Sequence, residues 1–509
     1  MQFGNDYQQL VHSKRGIKFL LPNFAAFSKT MKGEFIYRSL RAYVGFLLRH
    51  FFFSSEEIEG LEHLPADGTP TLFVGNHQNG LMDPLLLVCT LTDRKVHVFT
   101  RGGVFSRGGW INRCAEKIGL IPAYRLDSEG LNRVAQNKEI MQSAGKKMMA
   151  GASLLIYPEC THSERCHMAE FSSAYLRMAF DAASSCDFNQ EVYVVPVGVH
   201  YNGYYGLRNR ALIRFGQPVR LSSWYAQYQA KPRTTCLEIN HQIHDAVKAL
   251  VLDIPDELYA YRESLCESRS AQEPILSYFT KNKSTLSEQL ALDQAMMRNL
   301  DGMSTTCQHE LLDDVEQYDT ALKKYGVTSV ASQPSHWGAD VARNLFTLLL
   351  LPFGVASLWP GLLAYWVCGR LAKKSGSRCF ANLYLISIGA LVILPILSIA
   401  TGIAFGFTLG WLAALTWLVA QPIAYLVAWY YWKEVGFSFQ RLNYLKLDKE
   451  QKAELEKLHS LFLNVREKLG CKDEISIENI TKSTFNNEKS SDYRIGNLLL
   501  YWQKSRRGS

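Results

Sequence analysis

From Asn344 to Gly369, and again from Cys379 to Trp432, the chain carries no Asp, Glu, Lys or Arg. A bilayer-spanning helix needs about 20 mostly apolar residues. A chain in which 20% of residues are charged has no reason to leave two such gaps unless they meet lipid. The gaps therefore predict an integral membrane protein whose hydrophobic segments lie late in the sequence. In the first gap Pro352, Gly354 and Pro360 separate two Leu-rich arms, and Arg370, Lys373, Lys374 and Arg378 follow it. The second is long enough for two spans joined near Thr401–Gly410, with Lys433 and Arg441 beyond. Basic loops stay cytoplasmic. The preferred reading makes Asn344–Gly369 a hairpin that enters and returns at the prolines, which keeps the basic loop and the tail on the cytoplasmic side. The other reading is one kinked span.

At about 150 residues per domain, 509 residues leave room for roughly three units. A hydrophobic content of 47% and a mean hydropathy of -0.09 exclude a disordered or collagen-like chain. The net charge of +8 suits an anionic membrane surface or an acidic substrate and is too weak to argue for nucleic acid. Eleven cysteines without a CxxC pair favour free thiols in a reducing compartment. Near the N-terminus, Lys14, Arg15 and Lys18 precede an apolar run that Pro22 breaks too early for a secretory signal.

Over 35–53, Leu40, Val44, Leu47, Leu48 and Phe51 recur at helical spacing opposite Arg38, Arg41 and Arg49. This is either a helix packed on its own domain or one lying on anionic lipid. Between 71 and 220, short β-rich runs alternate with helical stretches. Strands are expected at Thr71–Gly75, Val96–Thr100, Ser153–Tyr157, Val192–Val199 and Leu212–Phe215, and helices over 105–118, 127–150 and 166–184. That alternation predicts an α/β domain with a mixed, largely parallel sheet flanked by helices. Residues 225–342 carry no strand signal, and Pro255 before Asp256 and Glu257 reads as a helix first turn. The expected organisation is an N-terminal segment (1–34), the α/β domain with its amphipathic helix (35–224), a helical extension (225–342), membrane segments (343–433) and a cytoplasmic tail (434–509), in which Leu447–Leu469 forms an amphipathic helix.

Four segments of the α/β domain carry chemistry. In the first, Gly75–Pro84, His77 follows a strand, where an imidazole can act as a base near neutral pH. Asp83 can orient it, or can simply cap the helix Pro84–Leu91. In the second, Gly119–Arg125, the Arg125 fork suits phosphate, although an ion pair with Asp127 or Glu129 is as natural. The third runs Tyr157-Pro158-Glu159-Cys160-Thr161-His162-Ser163. The fourth is a strand containing Pro196, whose missing N–H suggests an edge strand.

Taken in order, these segments resemble the glycerolipid acyltransferases, whose four blocks read His-x4-Asp, Gly-x-x-Phe-x-x-Arg, Phe-Pro-Glu-Gly-Thr-Arg-Ser and a strand with Val-Pro. The resemblance covers roughly 60–220. It implies that His77 deprotonates an acceptor hydroxyl and that Asp83 orients His77. It further implies that Arg125, with Gly119, grips the acceptor phosphate, that Glu159, Thr161 and Ser163 shape the acceptor pocket, and that Pro196 lines the acyl-donor side. The acyl donor would be acyl-CoA or acyl carrier protein, a co-substrate rather than a cofactor. Acceptors would be glycerol 3-phosphate, dihydroxyacetone phosphate or a lysophosphatidate, and membrane lipids the surroundings.

Three departures mark this chain. Five residues, not four, separate His77 from Asp83, so a turn at Asn79-Gly80 must bring the carboxylate back; Cys160 stands for Gly and His162 for Arg. The longer spacing is similar to the branch acting on glycerol phosphate and dihydroxyacetone phosphate. The expected protein is a membrane-bound O-acyltransferase of phosphatidic acid synthesis with its catalytic domain facing the cytoplasm. Alternatives are acylation of another lysophospholipid, and a non-catalytic lipid-binding relative. A metal cluster of Cys160, His162, Cys166 and His167 fits no standard zinc spacing, and Gly145-Lys146 lacks the upstream glycine of a phosphate-binding loop.

Overall fold

The structure, a computed structural model, describes residues 34–107, 109–124, 134–160, 163–204, 207–266, 284–333, 337–356, 358–359, 361–374 and 384–470. Contacts divide the chain into two units. One holds the described residues up to Gln294 together with Gly326–Lys446, and the other holds Ala295–Tyr325 with the described residues from Leu447 onward.

The first unit is built on an eight-stranded sheet: β1 (Phe53–Glu59), β2 (Thr71–Gly75), β3 (Val96–Arg101), β4 (Leu120–Ala123), β5 (Ser153–Ile156), β6 (Tyr193–Tyr201), β7 (Asn209–Phe215) and β8 (Val219–Arg220). The order is β1-β7-β6-β2-β5-β3-β4, with β8 also on β6. Only β7 and β8 run antiparallel to β6; every other neighbour is parallel. Helices α1 (Met82–Thr90), α2 (Gly109–Lys117), α3 (Asn137–Met149), α4 (Ala174–Ser184) and α5 (Pro232–Lys248) follow the strands. This is the α/β architecture with a mixed, largely parallel sheet. β2 is buried at all five positions, as a strand covered on both faces should be.

The five expected strands form, and three were missed. β1 has little apolar alternation, and it pairs through charge instead: Arg210 reaches Glu57 at 3.1 Å and Arg214 reaches Glu59 at 2.8 Å across the β1–β7 pair. The edge-strand expectation for Pro196 fails. Pro122 sits in β4 at the sheet edge, while Pro196 sits in β6, a central strand. Its missing N–H is harmless because β7 gives way to β8 opposite it, and the Pro196 carbonyl accepts from Gly216 N at 2.8 Å.

The α/β core does not stop at 224. Cys236, Ile239, Ile243 and Val247 of α5 join Leu72, Leu154 and Val194 in one buried cluster. Pro255 opens no helix, since the next one begins at Tyr259 after Leu258 in the left-handed region. In the second unit, α6 (Thr305–Tyr325) packs on α12 (Lys449–Lys468), with Tyr318 Oη 3.0 Å from His459 Nδ1. Asp448 and Gln451 form a capping box at the start of α12.

The apolar segments form α7 (Trp337–Leu349), α8 (Leu351–Ala356), α9 (Gly361–Lys374), α10 (Leu394–Leu409, entered through a π-helical stretch Leu385–Ile393) and α11 (Trp411–Lys446). Ile388–Leu409 and Trp411–Lys446 are long and apolar enough to cross a bilayer. Their side chains face outward, with Phe407 and Leu412 each 79% exposed. The chain runs along α11 from Asp340 beside Arg441, past Thr347 beside Tyr431, to Trp359, whose carbonyl accepts from Gln421. After Trp359 it turns back, and Cys368 bonds Tyr384 at the start of the next helix, the far end of which meets Trp411 through Gly406. Both ends of Asn344–Gly369 thus lie toward the same end of α11. That helix continues without a break past residue 433, where a tail was expected.

Candidate active site

His77 lies just beyond the C-terminal end of β2, between β6 and β5, where ligands bind in open α/β sheets. Gly80, at φ 48, and the bond from Met82 N to Asn79 O form the turn that the longer His-to-Asp spacing demands. As a result α1 starts at Met82, and Asp83 lies inside its first turn rather than capping it. The Asp83 carboxylate points back. Its Oδ2 is 2.9 Å from His77 Nδ1 and accepts from the backbone N–H groups of Gln78 (3.0 Å) and Asn79 (2.9 Å). Its Oδ1 accepts from Tyr201 Oη at 2.7 Å. The Asp83 side chain is 1% exposed and that of His77 20%. With Nδ1 on the carboxylate, the accessible part of the ring is the side that can exchange a proton.

The third segment, on the adjacent strand β5, clamps the His77 backbone. Glu159 Oε1 accepts from His77 N at 2.7 Å and Oε2 from Ala169 N at 3.1 Å, while Ser163 N donates to His77 O at 3.3 Å. Burial pushes Glu159 up to about 7, against the two N–H groups that favour its charged form. Glu159 therefore holds the His77 backbone in place, and the Ser163 hydroxyl turns away to His167 O. Thr161 and His162 lie outside the described residues.

The second segment sits apart. β4 is three strands from β2, about 14 Å at ordinary strand spacing. Gly119, at φ 90, has a local reason to be glycine: a Cβ there would stand 3.1 Å from the Val96 carbonyl oxygen. Arg125 lies outside the described residues, but the Asn137 side chain holds both backbone groups of Tyr124 just before it. Pro196 packs near Gly216 and Leu250, on the α5 side of the sheet.

The sequence reading missed several supporting residues. The Asn76 amide bonds both backbone groups of Val199, adding one rung between β2 and β6. Tyr157 stacks on His77 with ring centroids 4.4 Å apart at 15°. Burial raises the Tyr201 hydroxyl well above its usual range, so it remains a donor to Asp83. Tyr204 Oη donates to Gln78 Oε1 at 2.9 Å. Only Tyr157 had a local signal, as a neighbour of Pro158-Glu159. The thiols and imidazole weighed as metal ligands go to separate partners: Cys160 Sγ to Pro158 O, Cys166 Sγ to Tyr204 Oη, and His167 Nδ1 to Ile254 O.

Comparison with known proteins agrees with this arrangement. Residues 56–200 match the Acyltransferase family. A stretch of 121 residues is 26% identical to glycerol-3-phosphate O-acyltransferase 2 of Saccharomyces cerevisiae, covering 24% of this chain and 16% of that protein. Another of 116 residues is 25% identical to an uncharacterized acyltransferase of Schizosaccharomyces pombe, covering 22% of this chain and 17% of the relative. The chain thus spans about a sixth of the length of these curated relatives. The crystal structure of the 1-acyl-sn-glycerophosphate acyltransferase PlsC from Thermotoga maritima aligns at 16% identity and a TM-score of 0.30, over 44% of this chain and 88% of its own; that likeness is too slight to add to the fold. With a His-Asp pair just beyond the C-terminal end of β2 inside the matched stretch, residues 56–200 form an acyltransferase-type domain similar to the glycerolipid acyltransferases.

Proposed function

We propose that this protein is a membrane-bound O-acyltransferase that moves a fatty acyl group from acyl-CoA or acyl carrier protein to a glycerol-phosphate-type acceptor, as in phosphatidic acid synthesis. The observation that carries the reading is the 2.9 Å contact between His77 Nδ1 and a carboxylate that is itself fully hydrogen-bonded. Asp83 holds the tautomer with its proton on Nδ1 and stabilises the imidazolium when it forms. His77 Nε2 takes the proton of the acceptor hydroxyl as that oxygen bonds to the thioester carbonyl carbon. Collapse of the tetrahedral species breaks the C–S bond, and the imidazolium returns its proton to the departing sulfur. Glu159 and Ser163 keep His77 in register, Arg125 serves the acceptor phosphate, and Thr161 and Pro196 complete the acceptor and donor sides, while Gly119, at the N-terminal start of β4 against Val96 and His97, lies at the opposite strand end and takes no part. The two long apolar helices cross the bilayer, and the Asn344–Gly369 hairpin returns to the face that carries the catalytic domain, the cytoplasm. The test is acyl transfer by the purified protein from labelled acyl-CoA to glycerol 3-phosphate, dihydroxyacetone phosphate and lysophosphatidate. Transfer should vanish in His77→Ala. Lipid binding without transfer in the wild type would instead make it a binding protein.

A further inference from the structure

At the opposite end of the strands, by the N-terminal ends of β3 and β5, a cleft of about 250 Å³ lies between the helix at 34–47, the α1–β3 loop and the turn before β5. Arg38, Arg41, Arg94 and Lys95 line it, with Glu34, Asp67 and Asp93 as the carboxylates. We propose that this cleft binds a phosphate group, carried either by the headgroup of an anionic lipid or by a free phosphate. The site is distinct from the acyl-transfer centre and independent of that reading.

The charges leave a positive surplus where an anion would enter. Arg38 is paired with Glu34 at 3.1 Å and Arg94 with Asp93 at 2.8 Å, so those carboxylates are already compensated. Arg41 has no carboxylate among the described residues: its guanidinium donates to the carbonyls of Leu91, Thr92 and Arg94, which fixes the side chain without cancelling its charge. Lys95 Nζ is 3.9 Å from Glu34 and donates to Lys117 O, again a neutral partner. The Arg94 side chain is 4% exposed, and its Nη1 is buried without a hydrogen bond among the described residues. His97, also on the wall, is pushed down to about 4 by burial first and then by the nearby Lys147 and Lys95. Guanidinium forks and an ammonium converging on one polar concavity suit a phosphate, whose oxygens take several charge-assisted bonds at once. Phe35, Ile36 and Phe46 are exposed on the helix that supplies Arg38 and Arg41, so a lipid could present its phosphate from that side.

The full-length protein in detergent, carrying Arg125→Ala to remove the proposed acceptor-phosphate grip, should still bind inorganic phosphate by calorimetry. Adding Arg38→Gln and Lys95→Gln should weaken that binding roughly tenfold or more, while acyl transfer in an otherwise wild-type background stays unchanged. Arg38 and Lys95 are 71% and 29% exposed, so the fold should tolerate both changes; a melt checks this, and Arg38→Gln alone serves if the double variant fails it. Sedimentation with phosphatidylcholine vesicles, with and without phosphatidic acid, separates the sources. Loss of the phosphatidate-dependent fraction in the variant marks a headgroup site, and unchanged sedimentation with weakened phosphate binding marks a site for free phosphate. Phosphate binding that disappears with Arg125→Ala alone, or is equal with and without the cleft substitutions, overturns the proposal.

Discussion

Asp83 accepts from four donors and has no exposure to water, so it cannot be replaced by a group that donates. Asn at that position would remove the negative charge that stabilises the His77 imidazolium and would set an NH2 where one of the four donors now points. Asp83→Asn should therefore lower kcat by about 10³–10⁴-fold with little change in KM. A pure KM effect in steady-state kinetics would mean that the carboxylate serves binding. Glu159 makes a separate prediction through pH. Its folded pKa, about 7, lies above the ordinary carboxylate value, so the folded state holds the proton more tightly than the unfolded one. Between roughly pH 4.5 and 7 stability should fall as pH rises, by a total of about 3 kcal/mol, and then level off. Chemical denaturation across that range should show the slope, and Glu159→Gln should flatten it; equal slopes would remove Glu159 as the source. At this scale His77, Asp83 and Glu159 were legible because each stands in a recognisable local run. Tyr201 and Asn76 were not, since each acts on a partner more than a hundred positions away.

Elements show where local pattern suffices and where it fails. The buried strands were legible from continuous apolar runs, and α12 from its amphipathic pattern. β1 was not, because an edge strand held by Glu and Arg has no apolar alternation to read. Gly145, which raised the question of a phosphate loop, is explained by helix crossing: a Cβ there would come within 2.8 Å of the Ala182 Cβ, where α3 meets α4. Gly145→Ala should destabilise the protein by about 1–3 kcal/mol through overpacking, read as a lower Tm; an unchanged Tm would mean that the helices part freely. Cys160 is the converse case. It adopts φ 57, a left-handed conformation that glycine takes without strain, at the position where related domains carry glycine. Cys160→Gly should raise stability by about 1 kcal/mol in the same assay, and a loss would show that the thiol's bond to Pro158 matters more than the backbone.

For the whole molecule, the apolar segments are tied to the rest by a few polar contacts. Arg441, buried on α11, bonds Asp340 at 3.0 Å and the carbonyls of Ala331 and Gln333, while Arg343 meets Glu434 at 2.9 Å. Removing Arg441 leaves the buried Asp340 with the looser Arg343 contact at 3.9 Å, so Arg441→Met should cost about 3 kcal/mol in a detergent melt. A loss below about 1 kcal/mol would mean that water already reaches the pair. Arg208 makes a second tie, its guanidinium bonding the His50 and Phe53 carbonyls and the Tyr430 hydroxyl of α11, so α11 touches the α/β domain. By itself the sequence determined an α/β domain with four chemical segments in order, followed by apolar segments too long for a water-facing surface. Periodicity, turn chemistry and charge-free length are properties of neighbouring residues and survive without a fold. Only the tertiary structure decided that Tyr201 saturates Asp83, that Glu159 serves the His77 backbone, that Gly119 answers to Val96, and that the chain turns back after Trp359. Each of those joins residues distant in sequence, and strand order and helix packing, which no local pattern encodes, bring them together.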